Sequence, residues 1–148
     1  LYDTSNSAEE KIRLLMSLGQ FRQPELLEET LKRSLSSQVR SQDTISIVHV
    51  IARNRFGQNL AWEFLKGNWT EFDKRYGEGG FALMQLVSLT SAFTTTEKLT
   101  DVDNFFRENP APGAERTIRQ SLEKIRINIA WLKHNKNQLE TWLSHSNR

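Results

Sequence analysis

Three histidines, His49, His134 and His145, lie far apart in the chain, and none has a carboxylate or a second histidine at metal-ligand spacing. The HExxH pattern, which puts two imidazoles and a general base on one helix face, is absent. His49 stands in an apolar run and reads as a hydrogen-bonded core or cavity residue. Serine and threonine are plentiful, but none occupies the GxSxG turn that presents a nucleophile. With no cysteine, the chain has no disulfide, no thiolate metal site and no redox clue to its compartment. No residue is assigned a catalytic, cofactor-binding or metal-binding role on this reading.

Binding chemistry is hardly richer. Gly77, Gly79 and Gly80 form the one glycine cluster, but GEGG lacks the spacing and the Lys-Ser/Thr of a phosphate-binding loop, so it reads as a tight turn into a helix. Arg40, Arg53 and Arg55 have two readings, a carboxylate-binding patch or solvated helix ends, of which the second is the plainer. Asn68-Trp69-Thr70 is an N-glycosylation sequon, usable if the protein enters the secretory pathway. The 20 Lys and Arg are interspersed with 18 Asp and Glu, for a net charge of +2, so no basic run exists to neutralise adjacent phosphates and nucleic acid is not expected as a partner.

The elements that would position these residues are helices. At 148 residues with 37% hydrophobic and 26% charged side chains, the chain suits one folded domain, residues 1–148. No apolar run approaches the ~18 residues of a membrane span, and no signal-peptide pattern opens the chain. It begins at Leu1 rather than Met, which suggests a fragment of a larger protein.

After a leading segment from Leu1 to Asn6, Ser7 and Glu10 form a capping box for a helix from Ala8 to Leu18, stopped by Gly19. Pro24 opens a second helix with Leu26, Leu27, Leu31 and Leu35 as its buried stripe. The run TISIVHVIARN, capped by Asp43 and stopped by Gly57, fits a buried helix, with a strand as the alternative because Ile and Val are β-branched. GQNLAWEFLK and WTEFDKRY continue as helices around Gly67 and Asn68, and FALMQLVSLTSAF follows the glycine turn. Thr94 with Glu97 caps a helix carrying Leu99, Val102, Phe105 and Phe106 inward.

Beyond the Pro110–Gly113 turn, Ile118, Leu122, Ile125, Ile129 and Leu132 recur at steps of four, three, four and three, one face of a long helix. A last, separate helix is expected around Leu139, Trp142 and Leu143. The four tryptophans, at 62, 69, 131 and 142, are all expected in core or inter-helix contacts. The fold class is therefore all-α: antiparallel helix pairs stacked in sequence as a short α-solenoid, without a visible repeat period.

The segments LAWEFLKGNW (60–69), RYGEGGF (75–81), FFRENPAPGAERTIRQSLEKIRINIAWLKHN (105–135) and LETWL (139–143) resemble the C-terminal helical domain of the gluzincin zinc aminopeptidases, as does EEKIRLLMSL near the start. The resemblance implies a HEAT- or armadillo-like stack that packs against a catalytic domain of the same parent chain and walls a shared chamber for peptide substrates. It implies that the zinc and its HExxH ligands belong to that preceding domain, so that this fragment holds no cofactor and is inactive alone. It implies a possible homodimer of the parent. In the family the loop before the helix starting near residue 80 faces the substrate pocket, and a glutamyl-specific member carries an arginine there. The matching position is Phe81, which points to a neutral, broad-specificity parent, while plain helix-start core is the other reading of this ring. The sequon and RYGEGGF lean towards membrane-anchored ectoenzymes of the aminopeptidase N type; PAPGAERTI leans towards the cytoplasmic puromycin-sensitive type. The alternative function is an independent helical-repeat scaffold that binds peptides or partner helices.

Overall fold

The computed structural model describes residue 2, residues 4–78 and residues 80–146. Ser7 accepts from the Glu10 amide at 3.3 Å and so opens α1 (Ala8–Leu18). The second half of the expected capping box is relayed: the Ser7 amide donates to Ser5 Oγ, and the Ser5 hydroxyl donates to the Glu10 carboxylate. Leu1 and Asp3 of the leading segment lie outside the described residues. Pro24 takes the first position of α2 (Pro24–Ser34), where its missing N–H costs nothing.

The β-branched run is helical, α3 (Ser41–Arg53). Arg40 rather than Asp43 caps it; Asp43 sits in the first turn and accepts from Arg40 Nε at 2.7 Å, an acidic group at the positive end of the helix. Gly57 does not stop α3, which ends at Arg53, but caps α4 (Gln58–Gly67). Asn68 joins α4 to α5 (Trp69–Tyr76).

The glycine turn leads into α6 (Phe81–Ser88), which tightens into a 3₁₀ turn at Leu89–Ala92 instead of running on as α-helix to Phe93. Gly79 of that turn lies outside the described residues. Thr95, one residue later than expected, caps α7 (Thr96–Glu108) by accepting from the Lys98 amide at 3.3 Å. A 3₁₀ turn at Pro112–Ala114 delivers the chain into α8 (Glu115–Ser146). The expected separate last helix is part of α8: no Gly or Pro interrupts residues 115–146, and the helix runs unbroken for 32 residues.

Among the described residues there are eight α-helices and no strand. α3 is apolar nearly all round because it is covered nearly all round, by α1, α2, α4, α6 and the Leu89–Ala92 turn. Elsewhere neighbours in sequence pack together, α1 on α2, α4 on α5, α5 on α6 and α7 on α8, with α6 also against α8. This is the stacking expected of a short helical array.

Trp62 and Trp69 form its aromatic heart with Phe105 and Phe106, edge to face at ring separations of 5.2 to 5.6 Å for Trp62–Phe105, Trp69–Phe105 and Trp69–Phe106. Leu26 leaves the α2 stripe at 38% exposure, and Thr30 and Ser34 are buried in its place. They can be, because the Thr30 hydroxyl donates to the Leu26 carbonyl and the Ser34 hydroxyl to the Leu31 carbonyl, each at 2.7 Å. Trp131 and Trp142, expected in contacts, are instead exposed, because α8 outruns the body it packs on.

Candidate functional site

Phe81 is held out by the geometry before it and behind it. Gly77 closes α5 by donating to the Asp73 carbonyl, and a Cβ on Gly77 would meet that oxygen at 2.3 Å. Gly80 has φ 120°, which L side chains rarely adopt, and turns the chain into α6. Leu83, Leu86 and Val87 then anchor α6 in the core, and His49 of α3 bonds the Gln85 carbonyl through Nε2 at 2.5 Å. That contact fixes the tautomer, since a carbonyl can only accept and Nε2 must carry the proton. On this fixed base the Phe81 ring is 75% exposed, so it is not helix-start core. Met84, one turn on, is also exposed. The pair forms an apolar point on a rigid helix start.

The other sequence candidates do not converge. Arg40 and Arg53 stand at opposite ends of α3, about 18–20 Å apart at 1.5 Å per residue, and the Arg55 guanidinium lies over its neighbour Phe56. His134 and His145 share α8 at about 16 Å, while His49 is spent on Gln85. Among the described residues no group of three or more His, Cys, Asp or Glu stands close enough to hold a metal ion. These residues therefore do not fit a zinc site. Asn68 is half-buried, its Nδ2 donating to the Phe64 carbonyl at 2.8 Å, and Thr70 of the sequon is exposed.

Sequence reasoning missed a charged cluster that ties α4 to α7. Trp62 Nε1 donates to Asp101 Oδ2 at 2.7 Å, and Lys66 Nζ donates to both Asp101 oxygens at 3.0 and 3.1 Å. Lys66 also pairs with Glu63 at 3.1 Å, and Lys98 reaches Glu63 at 3.4 Å. Burial by itself would raise the Asp101 pKa, but the bonds from Trp62 and Lys66 outweigh it and hold the carboxyl below its ordinary value. Burial would likewise lower Lys66, yet its bonds to Asp101 and Glu63 raise it above the usual ammonium value. The one sequence signal was spacing: Glu63–Lys66 and Lys98–Asp101 are both i,i+3 pairs.

Two asparagines were also missed. Asn54 Nδ2 donates to the Gly19 and Phe21 carbonyls, and Asn128 Nδ2 to the Ser91 and Phe93 carbonyls at 3.0 and 3.1 Å. Each uses one amide to satisfy a neighbouring element's loose carbonyls. A cleft of about 330 Å³ lies between the end of α7 and the start of α8, walled by Phe106, Ala111, Ile118 and Leu122. The cleft offers apolar surface, with the charged groups Asp103, Arg107, Glu115 and Arg119 also in its lining.

The profile of the ERAP1-like C-terminal domain family matches residues 1–127. The chain is 35% identical over 148 residues to glutamyl aminopeptidase of Bitis rhinoceros, covering 98% of this chain and 16% of that protein. It is 34% identical over 145 residues to endoplasmic reticulum aminopeptidase 2 of Homo sapiens, covering 96% of this chain and 15% of that protein. To aminopeptidase N of Canis lupus familiaris it is 35% identical over 114 residues, 74% of this chain and 12% of that protein. The chain thus spans between 12% and 16% of the length of these relatives. Among the described residues no helix is long and apolar enough to cross a membrane.

Proposed function

The chain belongs to the ERAP1-like C-terminal domain family, and we propose that it is the part of a zinc aminopeptidase that walls the peptide chamber, catalysing nothing alone. The observation that carries this reading is colinear similarity over nearly the whole chain to proteins named glutamyl aminopeptidase and endoplasmic reticulum aminopeptidase 2. In this reading residues 1–148 form one helical domain, and the zinc and the groups that use it belong to the catalytic domain of the same parent chain. Peptides meet this domain only as the far wall of a shared chamber. Pairing of two parents is compatible with the same reading.

Phe81 is the side chain assigned to the chamber. A large apolar ring costs free energy when left in water, and its exposure on a rigid helix start suits a surface that something else faces. An uncharged ring there favours neutral N-terminal residues over acidic ones. In the parent, Phe81→Arg should raise kcat/KM for an N-terminal Glu substrate relative to an N-terminal Ala substrate, and an unchanged ratio would remove Phe81 from the chamber. For the fragment, zinc plus an aminoacyl-chromophore substrate should give no turnover. Chelator-sensitive hydrolysis by the purified chain would overturn the assignment of the chemistry to another domain.

The parent's passage through the secretory pathway is supported by a relative named for the endoplasmic reticulum and by the sequon. Asn68 would then carry a glycan, at the loss of its bond to Phe64. Expression in secretory cells should show a glycosidase-sensitive mass increment that Asn68→Gln abolishes; an increment absent from the wild-type chain would refute the modification.

A further inference from the structure

The cleft between the end of α7 and the start of α8 is held open by a short side chain on a stiff backbone. Pro110 and Pro112 fix their own φ, and the Ala114 amide donates to the Ala111 carbonyl at 2.9 Å, so the turn between the helices has little freedom to fold inward. Ala111, buried in that turn, brings only a methyl group to the wall, and Phe106, Ile118 and Leu122 supply the rest of the apolar lining around about 330 Å³ of space. An apolar cavity of about 150 Å³ already admits a benzene, and small-molecule sites begin near 300 Å³. The cleft therefore has room for one side chain of leucine or phenylalanine size.

The charges in its lining select the ligand. Asp103 and Arg107 are paired with each other at 2.6 Å. Glu115 and Arg119 are not: both line the cleft, both are exposed, and neither side chain has an ion-pair or hydrogen-bond partner among the described residues. They stand one helical turn apart, with about 5–6 Å between their Cβ atoms. A monoanion drawn by Arg119 would be opposed by Glu115, and a monocation drawn by Glu115 would be opposed by Arg119. A molecule that carries an ammonium and a carboxylate on one carbon satisfies both. Each residue added to a peptide moves those two charges about 3.5 Å further apart, so the match is to a free amino acid.

We propose that this cleft binds a free apolar α-amino acid as its zwitterion, with the ammonium on Glu115, the carboxylate on Arg119 and the side chain against Phe106, Ile118 and Leu122. Residues 103–122 build the whole site, so the binding stands or falls separately from the peptidase reading. What rests on that reading is only the source of the ligand, since cleavage of a peptide's first residue releases molecules of this class. The test is titration of the isotope-labelled 148-residue chain with L-leucine, read by amide shifts whose dispersion also reports folding. A ligand of this size should bind with a dissociation constant on the order of 1–10 mM, with saturable shifts centred on residues 103–122.

Each charge is then removed in turn from the protein and from the ligand. Arg119→Gln should weaken L-leucine about threefold or more and should not weaken leucinamide, which lacks the carboxylate. Glu115→Gln should weaken L-leucine by a similar factor and should not weaken N-acetyl-leucine, which lacks the ammonium. Both positions are exposed, so neither variant removes a core contact. Glycine, with the same charges and no side chain, should give no saturable shift below about 50 mM. No saturable shift with L-leucine up to about 50 mM would overturn the proposal, as would shifts centred elsewhere on the chain or an affinity that neither substitution moves. Binding of N-acetyl-leucine as tight as that of L-leucine would reduce the site to an anion pocket and overturn the role given to Glu115.

Discussion

Replacing Asp101 with alanine should destabilise the chain by about 1–4 kcal/mol. Trp62 is fully buried, and its indole N–H has Asp101 Oδ2 as acceptor at 2.7 Å. Removing that acceptor leaves a donor without a partner inside the core, at about 1–3 kcal/mol. Lys66 loses its partner as well, but the Asp101 carboxylate is a third exposed, so that pair contributes only about 0.2–1 kcal/mol. At about 2–4 °C per kcal/mol for a chain of this size, the expected fall in Tm is roughly 3–15 °C, measured by calorimetry. Asp101→Asn keeps an oxygen for the indole and loses the charge, so it should cost only about 1 kcal/mol.

The pH dependence has a definite sign. Asp101 is held below the ordinary value of 3.8, so its contribution is fully present above that value and is lost as pH falls through the lower folded one. Lys66 is raised above 10.5, so its contribution is present below 10.5 and is lost as pH rises through the higher folded value. The gap in urea midpoint between wild type and Asp101→Asn should therefore be flat from about pH 5 to 9 and close below about pH 4. A Tm shift under about 2 °C for Asp101→Ala, or a gap that widens in acid, would refute the reasoning. A double-mutant cycle with Trp62→Phe should recover most of the alanine loss as coupling.

Two glycines should respond in opposite directions to alanine. Gly80→Ala meets open space but a φ of 120°, and should cost about 1–2 kcal/mol of purely backbone strain, whereas Gly67→Ala, also in open space and at the end of α4, should stabilise by about 0.4–1 kcal/mol; denaturant midpoints decide both. Asn128→Ala should cost about 1–2 kcal/mol by unpairing the Ser91 and Phe93 carbonyls, and Asn128→Asp more at neutral pH, since a carboxylate cannot donate to either. Hydrogen exchange of the Leu89–Phe93 segment should accelerate in both Asn128 variants and stay unchanged in Gly67→Ala.

Much of this fold was legible because helix punctuation is local. Ser7, Pro24, Gly19 and the Asn68 break act through their own dihedrals and amides, and the structure keeps them where the residues put them. At Thr94 and Thr95 two adjacent residues of the same type offer a cap, and it is Thr95 that accepts from the Lys98 amide. The long-range bonds were not legible at all. Trp62 and Asp101 are 39 residues apart, and nothing in either residue names the other. The partners of Asn128, the Ser91 and Phe93 carbonyls, are likewise 37 and 35 residues away, and only the fold brings them to it.

Periodicity by itself determined that Ile118 to Leu132 share one amphipathic face, because the 3.6-residue turn is a property of the backbone helix and needs no neighbour to be true; that the same helix runs on through Leu143 is seen only in the structure. Which part of that face is buried was decided only by tertiary structure. The body of the fold is shorter than the helix, so burial ends near Ile129 while the leucines go on. The same holds for Phe81: its place at a helix start follows from Gly80 before it, but that its ring is exposed while Leu83, Leu86 and Val87 of the same helix are buried is seen only in the tertiary structure. A sequence sets which side chains share a face, and the reach of the other elements sets which of them meet water.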